Sequence, residues 1–277
     1  MIGAATTIAG RRTGRRAIEN RPGDRQVRTV AAARYVTPLR EGGSLPAIVE
    51  GDDDGLYVLK FRGAGQGARA LVAELVAGEL ARAAGLPVPE IVFMPLDADL
   101  ARTEPDPEIQ DLIRGSAGLN LGLDYLPGAL AFDPIGEPVE AGLASRIVWF
   151  DAFVTNLDRT ARNTNMLVWH RRLQLIDHGA ALYFHHAWPD AADRHADPFA
   201  LIRDHVLLAD ARRLVEADAE MSAALTPAVI DAVVGLIPAA WLADDADRAR
   251  YSQHLKARLA APRAFVEEAL RARPADV

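Results

Sequence analysis

The chain has no cysteine among its 277 residues. Disulfides, thiolate metal sites, iron–sulfur clusters and cysteine nucleophiles are therefore excluded. It has no apolar run approaching the ~18 residues of a membrane-spanning helix, so no membrane partner is expected. The first residues carry no apolar segment of secretory type, and the expected location is cytoplasmic. Lysine is nearly missing. Of the 31 basic residues 29 are arginine, and the two lysines are Lys60 and Lys256. What remains is half apolar and a quarter charged, enough to pack one large domain or two small ones and outside the range of a disordered chain.

The charge is unevenly spread. Residues 1–30 hold seven arginines against Glu19 and Asp24, while the rest holds 24 basic and 36 acidic residues. An acidic body repels phosphate backbones, which disfavours a nucleic-acid partner. The Arg11, Arg12, Arg15, Arg16 cluster reads as a solvated basic tail over residues 1–30.

A chain that uses arginine for generic positive charge keeps lysine where a compact ammonium is needed. Lys256 falls on a polar helix face. Lys60 ends the apolar strand Leu56-Tyr57-Val58-Leu59 and is a candidate phosphate or Schiff-base residue. Around it the pattern is β: Ala33–Val36, Ala47–Glu50 and, after the Asp52-Asp53-Asp54-Gly55 turn, the Lys60 strand. A helix is expected over 69–84, stopped by Gly85 and followed by Pro87 and Pro89. Further strands are expected at Ile91–Met94 and Gly122–Leu126, with a Pro- and Asp-rich loop over 97–110 between them. From about residue 139 the period becomes helical, with Leu143, Ile147, Phe150 and Val154 on one stripe. Apart from a hairpin over 165–177, helix is expected to the end, with Thr226-Pro227 as a cap followed by proline. Strands first and helices afterwards indicate an α+β fold.

The chemistry concentrates around that hairpin. Its apolar strands flank His170-Arg171-Arg172. Asn163 precedes the first strand and Asp177 ends the second, so an antiparallel pairing brings both to the open end. Asp158 lies on the loop leading in. Two carboxylates and an amide oxygen form a hard-oxygen set of the kind Mg²⁺ takes when it also holds phosphates. A carboxylate that binds no metal can orient a hydroxyl for attack. The parts follow in the order glycine turn, strand lysine, helix glutamate (Glu74, with Glu79 on the same helix), D-x-x-x-x-N, D-x-G.

Five stretches make the chain resemble the HipA-like kinases of the protein-kinase-like superfamily. They are Tyr35–Ser44, Tyr57–Gly63, the Glu74 helix running to Gly85-Leu86-Pro87-Val88-Pro89, Asn156-Leu157-Asp158-Arg159, and Leu175-Ile176-Asp177-His178-Gly179. The resemblance implies a two-lobed fold: a small antiparallel β lobe with one helix (31–126) and a mainly helical lobe (127–277). It implies transfer of the γ-phosphate of ATP with Mg²⁺ to a hydroxyl, first a Ser or Thr of a protein, with the acceptor itself left open. By the same resemblance Lys60 is the phosphate-binding lysine, Glu74 its helix partner, Asp158 the catalytic base, and Asn163 and Asp177 the metal ligands. Gly42, Gly43 and Ser44 would cover the phosphates, with Ser44 a candidate autophosphorylation site, and Tyr125 and Leu126 would meet adenine. His178 stands where the common D-F-G has phenylalanine.

Other readings compete. Gly63-x-Gly65-x-x-Ala68 follows a strand and opens a helix, as a dinucleotide fingerprint does, with Asp97 placed for a ribose. The second half lacks the β-α-β alternation an NAD- or FAD-dependent oxidoreductase needs. A pseudokinase that binds nucleotide without transfer has no need of Asp158. Pyridoxal phosphate on Lys60 usually goes with a larger chain. His185-His186, adjacent on a short loop, read as solvated rather than metal-binding.

Overall fold

Alternation of apolar and polar residues between Ala32 and Asp124 builds one mixed sheet in the computed structural model, which describes residues 26–39, 45–65, 67–188, 194–244, 246–260 and 262–274. Its strands are β1 (Arg28–Thr29), β2 (Ala32–Pro38), β3 (Ala47–Gly51), β4 (Leu56–Lys60), β5 (Ile91–Leu96) and β6 (Gly118–Asp124), in the spatial order β1-β5-β6-β4-β3-β2. The β3–β4 register sets Ala47 opposite Leu59 and Val49 opposite Tyr57. All four are buried on the face that packs on Val92, Met94, Ile109 and Ile113.

Two expectations need correction here. The basic segment does not run free to residue 30. Arg28–Thr29 pair parallel with β5, so the sheet is not purely antiparallel. The Arg28 guanidinium is bound by Glu90, Asp53 and the Tyr57 hydroxyl. Residues 1–25, with the Arg11–Arg16 cluster, lie outside the described residues. The stretch 97–110 is also not a loop. A 3₁₀ turn (Ala98–Thr103) precedes a second helix, α2 (Pro107–Gly115). Asp106 accepts the Glu108 N–H and Pro107 opens the helix, which is the cap-then-proline signal recognised at Thr226-Pro227.

Helix α1 (Ala68–Ala83) is buried from Leu71 to Ala81. Small residues make that possible. A methyl on Gly78 would meet Ile91 Cδ1, so glycine leaves room for the Ile91 side chain between α1 and the sheet. Gly85, at φ +75°, ends the helix as expected.

The second half holds β7 (Leu130–Ala131), α3 (Ala141–Phe153), the hairpin β8 (Met166–Trp169) and β9 (Arg172–Leu175), then α4 (Leu214–Ala224), α5 (Pro227–Gly235), α6 (Ala246–Leu259) and α7 (Ala264–Ala272). Between β9 and α4 the expected helix is broken into 3₁₀ turns at Tyr183–Ala187, Arg194–Ala196 and Ala200–Asp204. Pro198, which offers no N–H, sits between the last two. One apolar core runs from α1, β5 and β6 through α3 to α7, so both halves share it. No helix among the described residues is long and apolar enough to cross a membrane.

Candidate functional site

Lys60 ends β4, opposite Leu121 of β6. The strand end is fixed by Asn120, whose amide accepts the Arg62 N–H at 2.7 Å and donates to the carbonyls of Ser116 and Gly118. The Lys60 ammonium lies 2.6 Å from Asp177 Oδ1 and 3.5 Å from Glu74 Oε2. Burial alone would lower the Lys60 pKa. The charges of Glu74 and Asp177 outweigh it and hold it above its ordinary value. Burial would likewise raise Glu74, and the Lys60 charge with His178 holds it down instead. Of the two glutamates expected on α1, Glu74 is thus the one at the site, while Glu79 pairs with Arg82 at 2.6 Å.

This corner is incompletely bonded. Neither Glu74 oxygen has a hydrogen bond, nor does either ring nitrogen of His178, and both side chains are buried. His178 Nδ1 approaches Glu74 Oε1 at 3.8 Å, beyond hydrogen-bond range, and the ring meets Phe150 edge-on. Asp177 itself sits at φ +56°, in the left-handed region.

Two cavities adjoin the Lys60–Asp177 pair. One, of about 260 Å³, is lined by Val58, Lys60, Leu123, Tyr125, Leu126 and Asp177. The other, of about 240 Å³, is lined by Lys60, Ala64, Gly65, Glu74, Asp177 and Gly179. Tyr125 and Leu126 are thereby placed in a cavity with Lys60. Gly42, Gly43 and Ser44 lie outside the described residues. The Gly63 segment is tied down by its own chain. The Gly63 N–H donates to Ser116 Oγ at 3.0 Å, and that oxygen fills the space a side chain would take. Asp97 caps the 3₁₀ turn by accepting the Asp99 N–H. Both positions of the dinucleotide pattern thus have structural duties.

The loop that carries Asp158 rests on a buried carboxylate that the sequence reading missed. Asp151, on α3, accepts from Asn156 Nδ2 at 2.9 Å, Arg159 Nε at 2.6 Å and His205 Nε2 at 2.9 Å. Burial would raise its pKa, but Arg159, His205 and Asn156 hold it well below the usual carboxylate range. The Leu207 N–H donates to His205 Nδ1, so the ring proton sits on Nε2 and the neutral imidazole satisfies both partners. Arg159 turns inward and donates from Nη1 to the Asn165 carbonyl at 2.5 Å. Asn156 Oδ1 accepts the Asp158 N–H at 3.2 Å, and Asn165 Nδ2 donates to Asp158 O and Oδ2 at 3.2 and 3.3 Å. Asn163 is held through its backbone, exchanging bonds with Thr160, and its side chain is exposed. One signal for Asp151 was legible: a lone carboxylate inside the apolar run Ile147–Phe153 has to be paired.

Asp158, Asn163 and Asp177 offer oxygen donors only, which fits a hard divalent cation. Among the described residues no three His, Cys, Asp or Glu side chains form a metal cluster by themselves. A magnesium ion that takes one or two protein ligands and completes its shell with phosphates needs none. His185 is not solvated as expected. It is buried, with Nδ1 3.0 Å from the Tyr251 hydroxyl and Nε2 3.1 Å from His186 Nε2. Burial, then His186 and Arg69, push its pKa down to about 3.

A family model described as HipA-like kinase matches residues 33–264. Among solved structures, the Helicobacter pylori proinflammatory kinase CtkA aligns over 88% of this chain and 99% of its own, at 11% identity and TM-score 0.55. The Golgi casein kinase with Mn/ADP bound aligns over 91% of this chain and 74% of its own, at 12% identity and TM-score 0.49. No curated protein matches the chain in sequence.

Proposed function

The chain belongs to the HipA-like kinase family, and on that premise we propose that it is an ATP- and Mg²⁺-dependent kinase that transfers the γ-phosphate to a hydroxyl, first a Ser or Thr of a protein. The observation that carries this reading is the Lys60–Asp177 pair, 2.6 Å apart and lining both cavities. The nucleoside takes the Tyr125–Leu126 side. Lys60 leaves Asp177 for the phosphates and stays paired to Glu74, which already lies 3.5 Å away.

Asp158 receives the proton of the acceptor hydroxyl as its oxygen bonds to the γ-phosphorus and the bond to the β-phosphate oxygen breaks, leaving ADP. Asp177 and Asn163 are the side chains that would hold the metal, which when bound neutralises phosphate charge. Lys60 acts as a point charge on the phosphates, a role suited to ammonium rather than guanidinium. Ser44 remains a proposed autophosphorylation site, checked by mass spectrometry after incubation with ATP.

Incubation with labelled ATP and Mg²⁺ tests the reading. ADP release with label on a protein hydroxyl is expected, and neither should occur with Asp158→Asn. A melting temperature raised by Mg²⁺–ATP without any transfer would favour a nucleotide-binding pseudokinase. A Mg²⁺-independent rise with NAD would favour the dinucleotide reading.

A further inference from the structure

The D-x-x-x-x-N spacing directs attention to Asn163, yet the asparagine that touches the proposed base is Asn165. Its side-chain amide donates to the Asp158 carboxylate and to the Asp158 carbonyl. Its own carbonyl accepts two donors, Arg159 Nη1 at 2.5 Å and the Ile176 N–H at 3.0 Å. Ile176 immediately precedes Asp177. Asn165 therefore connects the two aspartates, one through its side chain and the other through its backbone. It is buried and sits at φ +47°, a left-handed conformation that asparagine adopts more readily than most residues. Behind it, Arg159 is locked by Asp151, which His205 and Asn156 also hold.

We propose that Asn165 is the positioning residue of the reaction. It fixes the Asp158 carboxylate relative to Asp177, and this leaves the exposed Asn163 side chain for the metal–nucleotide. The assignment rests on the phosphotransfer reading above. A base displaced by about 1 Å can lose about 100-fold in rate without any loss of substrate binding. The amide at 165 acts on the base and not on the nucleotide, so its removal belongs in kcat.

Asn165→Gly is the informative variant. Glycine accepts the left-handed backbone and keeps the carbonyl, so only the amide is lost. Asn165→Asp keeps the shape and sets an acceptor against Asp158. Both are expected to lower kcat about 10- to 100-fold, with KM for ATP and calorimetric Mg²⁺–ATP affinity within about two-fold of wild type. Asn163→Ala should show the opposite split, weakening Mg²⁺–ATP binding. Asn165→Gly with wild-type kcat, or with a loss confined to KM, would overturn the assignment. If the wild-type protein transfers no phosphate, the functional reading fails instead. The Asn165–Asp158 contact is then read by a stability cycle of Asn165→Gly with Asp158→Ala. Non-additive melting shifts are expected, and additive ones would remove the contact.

Discussion

Around Asp151 both carboxylate oxygens accept hydrogen bonds of 2.6–2.9 Å, whereas around Glu74, which is also buried, neither oxygen has one. The Glu74 cluster lines the cavity beside Lys60, and the Asp151 cluster holds the loop that carries Asp158. The Asp151 cluster, complete except for Arg159 Nη2, binds helix α3, the Asp158 loop and the segment at His205 into a fixed unit. The Glu74 cluster leaves four buried polar atoms open, on Glu74 and His178, beside an ammonium drawn onto Asp177. Unbonded buried groups cost stability, and those of Glu74 border the cavity beside Lys60, where a bound molecule or water can reach them. On the proposed reading, the base belongs to the preorganised half of the site and the nucleotide to the half that lines the cavities beside Lys60.

The largest effects should follow that division. Asp158→Asn is expected to cost transfer by a factor on the order of 10²–10⁴ while Mg²⁺–ATP still binds. Lys60→Met should also lose transfer by orders of magnitude, with the fold intact. A folded Lys60→Met enzyme turning over at the wild-type rate would break the comparison at its nucleotide end.

Next come the stabilities of the two clusters. Asp151→Ala leaves Arg159 buried without its counter-charge, and about 3–5 kcal/mol should be lost in urea denaturation. Glu74→Gln, at similar burial, removes the ion pair with Lys60 but leaves Lys60 its closer partner Asp177, so the loss should be smaller than that of Asp151→Ala. Equal losses would mean that the clusters are not differently finished.

Acid titration sharpens the contrast at intermediate size. Asp151 and Glu74 have depressed values, so their contributions are fully present above the ordinary carboxylate range and are lost only as pH falls through and below it. His185 is depressed from 6.5 to about 3, so the unfolded chain binds its proton first. Its share of stability is whole above about 6.5 and declines down to about 3, at a slope of up to roughly 1.4 kcal/mol per pH unit. Between pH 6.5 and 4.5 the slope should fall in His185→Phe, leaving the share of His186, which burial and Arg69 also depress, and persist in full in Asp151→Ala. An undiminished slope in His185→Phe would place the titrating group elsewhere.

The smallest effect is the most pointed. His178→Phe removes two unbonded ring nitrogens from a buried site and restores the ring of the common D-F-G. The melting temperature should change little, because the Nδ1–Glu74 contact the ring loses, at 3.8 Å, is beyond hydrogen-bond range. A drop of several degrees would show that His178 is bonded in solution.

The features the sequence makes visible are those defined by neighbours along the chain. Lys60 stood out because only two lysines survive among 31 basic residues. Asp158, Asn163 and Asp177 stood out by their spacing around a hairpin whose register, Met166 with Leu175, follows from its apolar strands. The hydrogen bonds that hold Asp158 were not legible in the same way. His205 lies 54 positions from Asp151, and nothing local marks either as the other's partner. Asn165 was hidden by Asn163, the residue the spacing selects, because a left-handed turn at 165 decides which amide meets the Asp158 carboxylate. β1 was masked by the arginines around it in the sequence, although Arg28 pairs with Glu90 and Asp53, which are distant along the chain. Helix α2 was missed even though its Asp106-Pro107 start is the same signal accepted at Thr226-Pro227.

Titration calorimetry of Mg²⁺–ATP into wild type, Asp158→Asn and Asp177→Asn tests the division of labour most directly. Asp158→Asn should bind with close to wild-type affinity, and Asp177→Asn should bind weakly and lose its dependence on Mg²⁺. The reverse pattern, tight binding by Asp177→Asn and weak binding by Asp158→Asn, would contradict the assignment of the two halves.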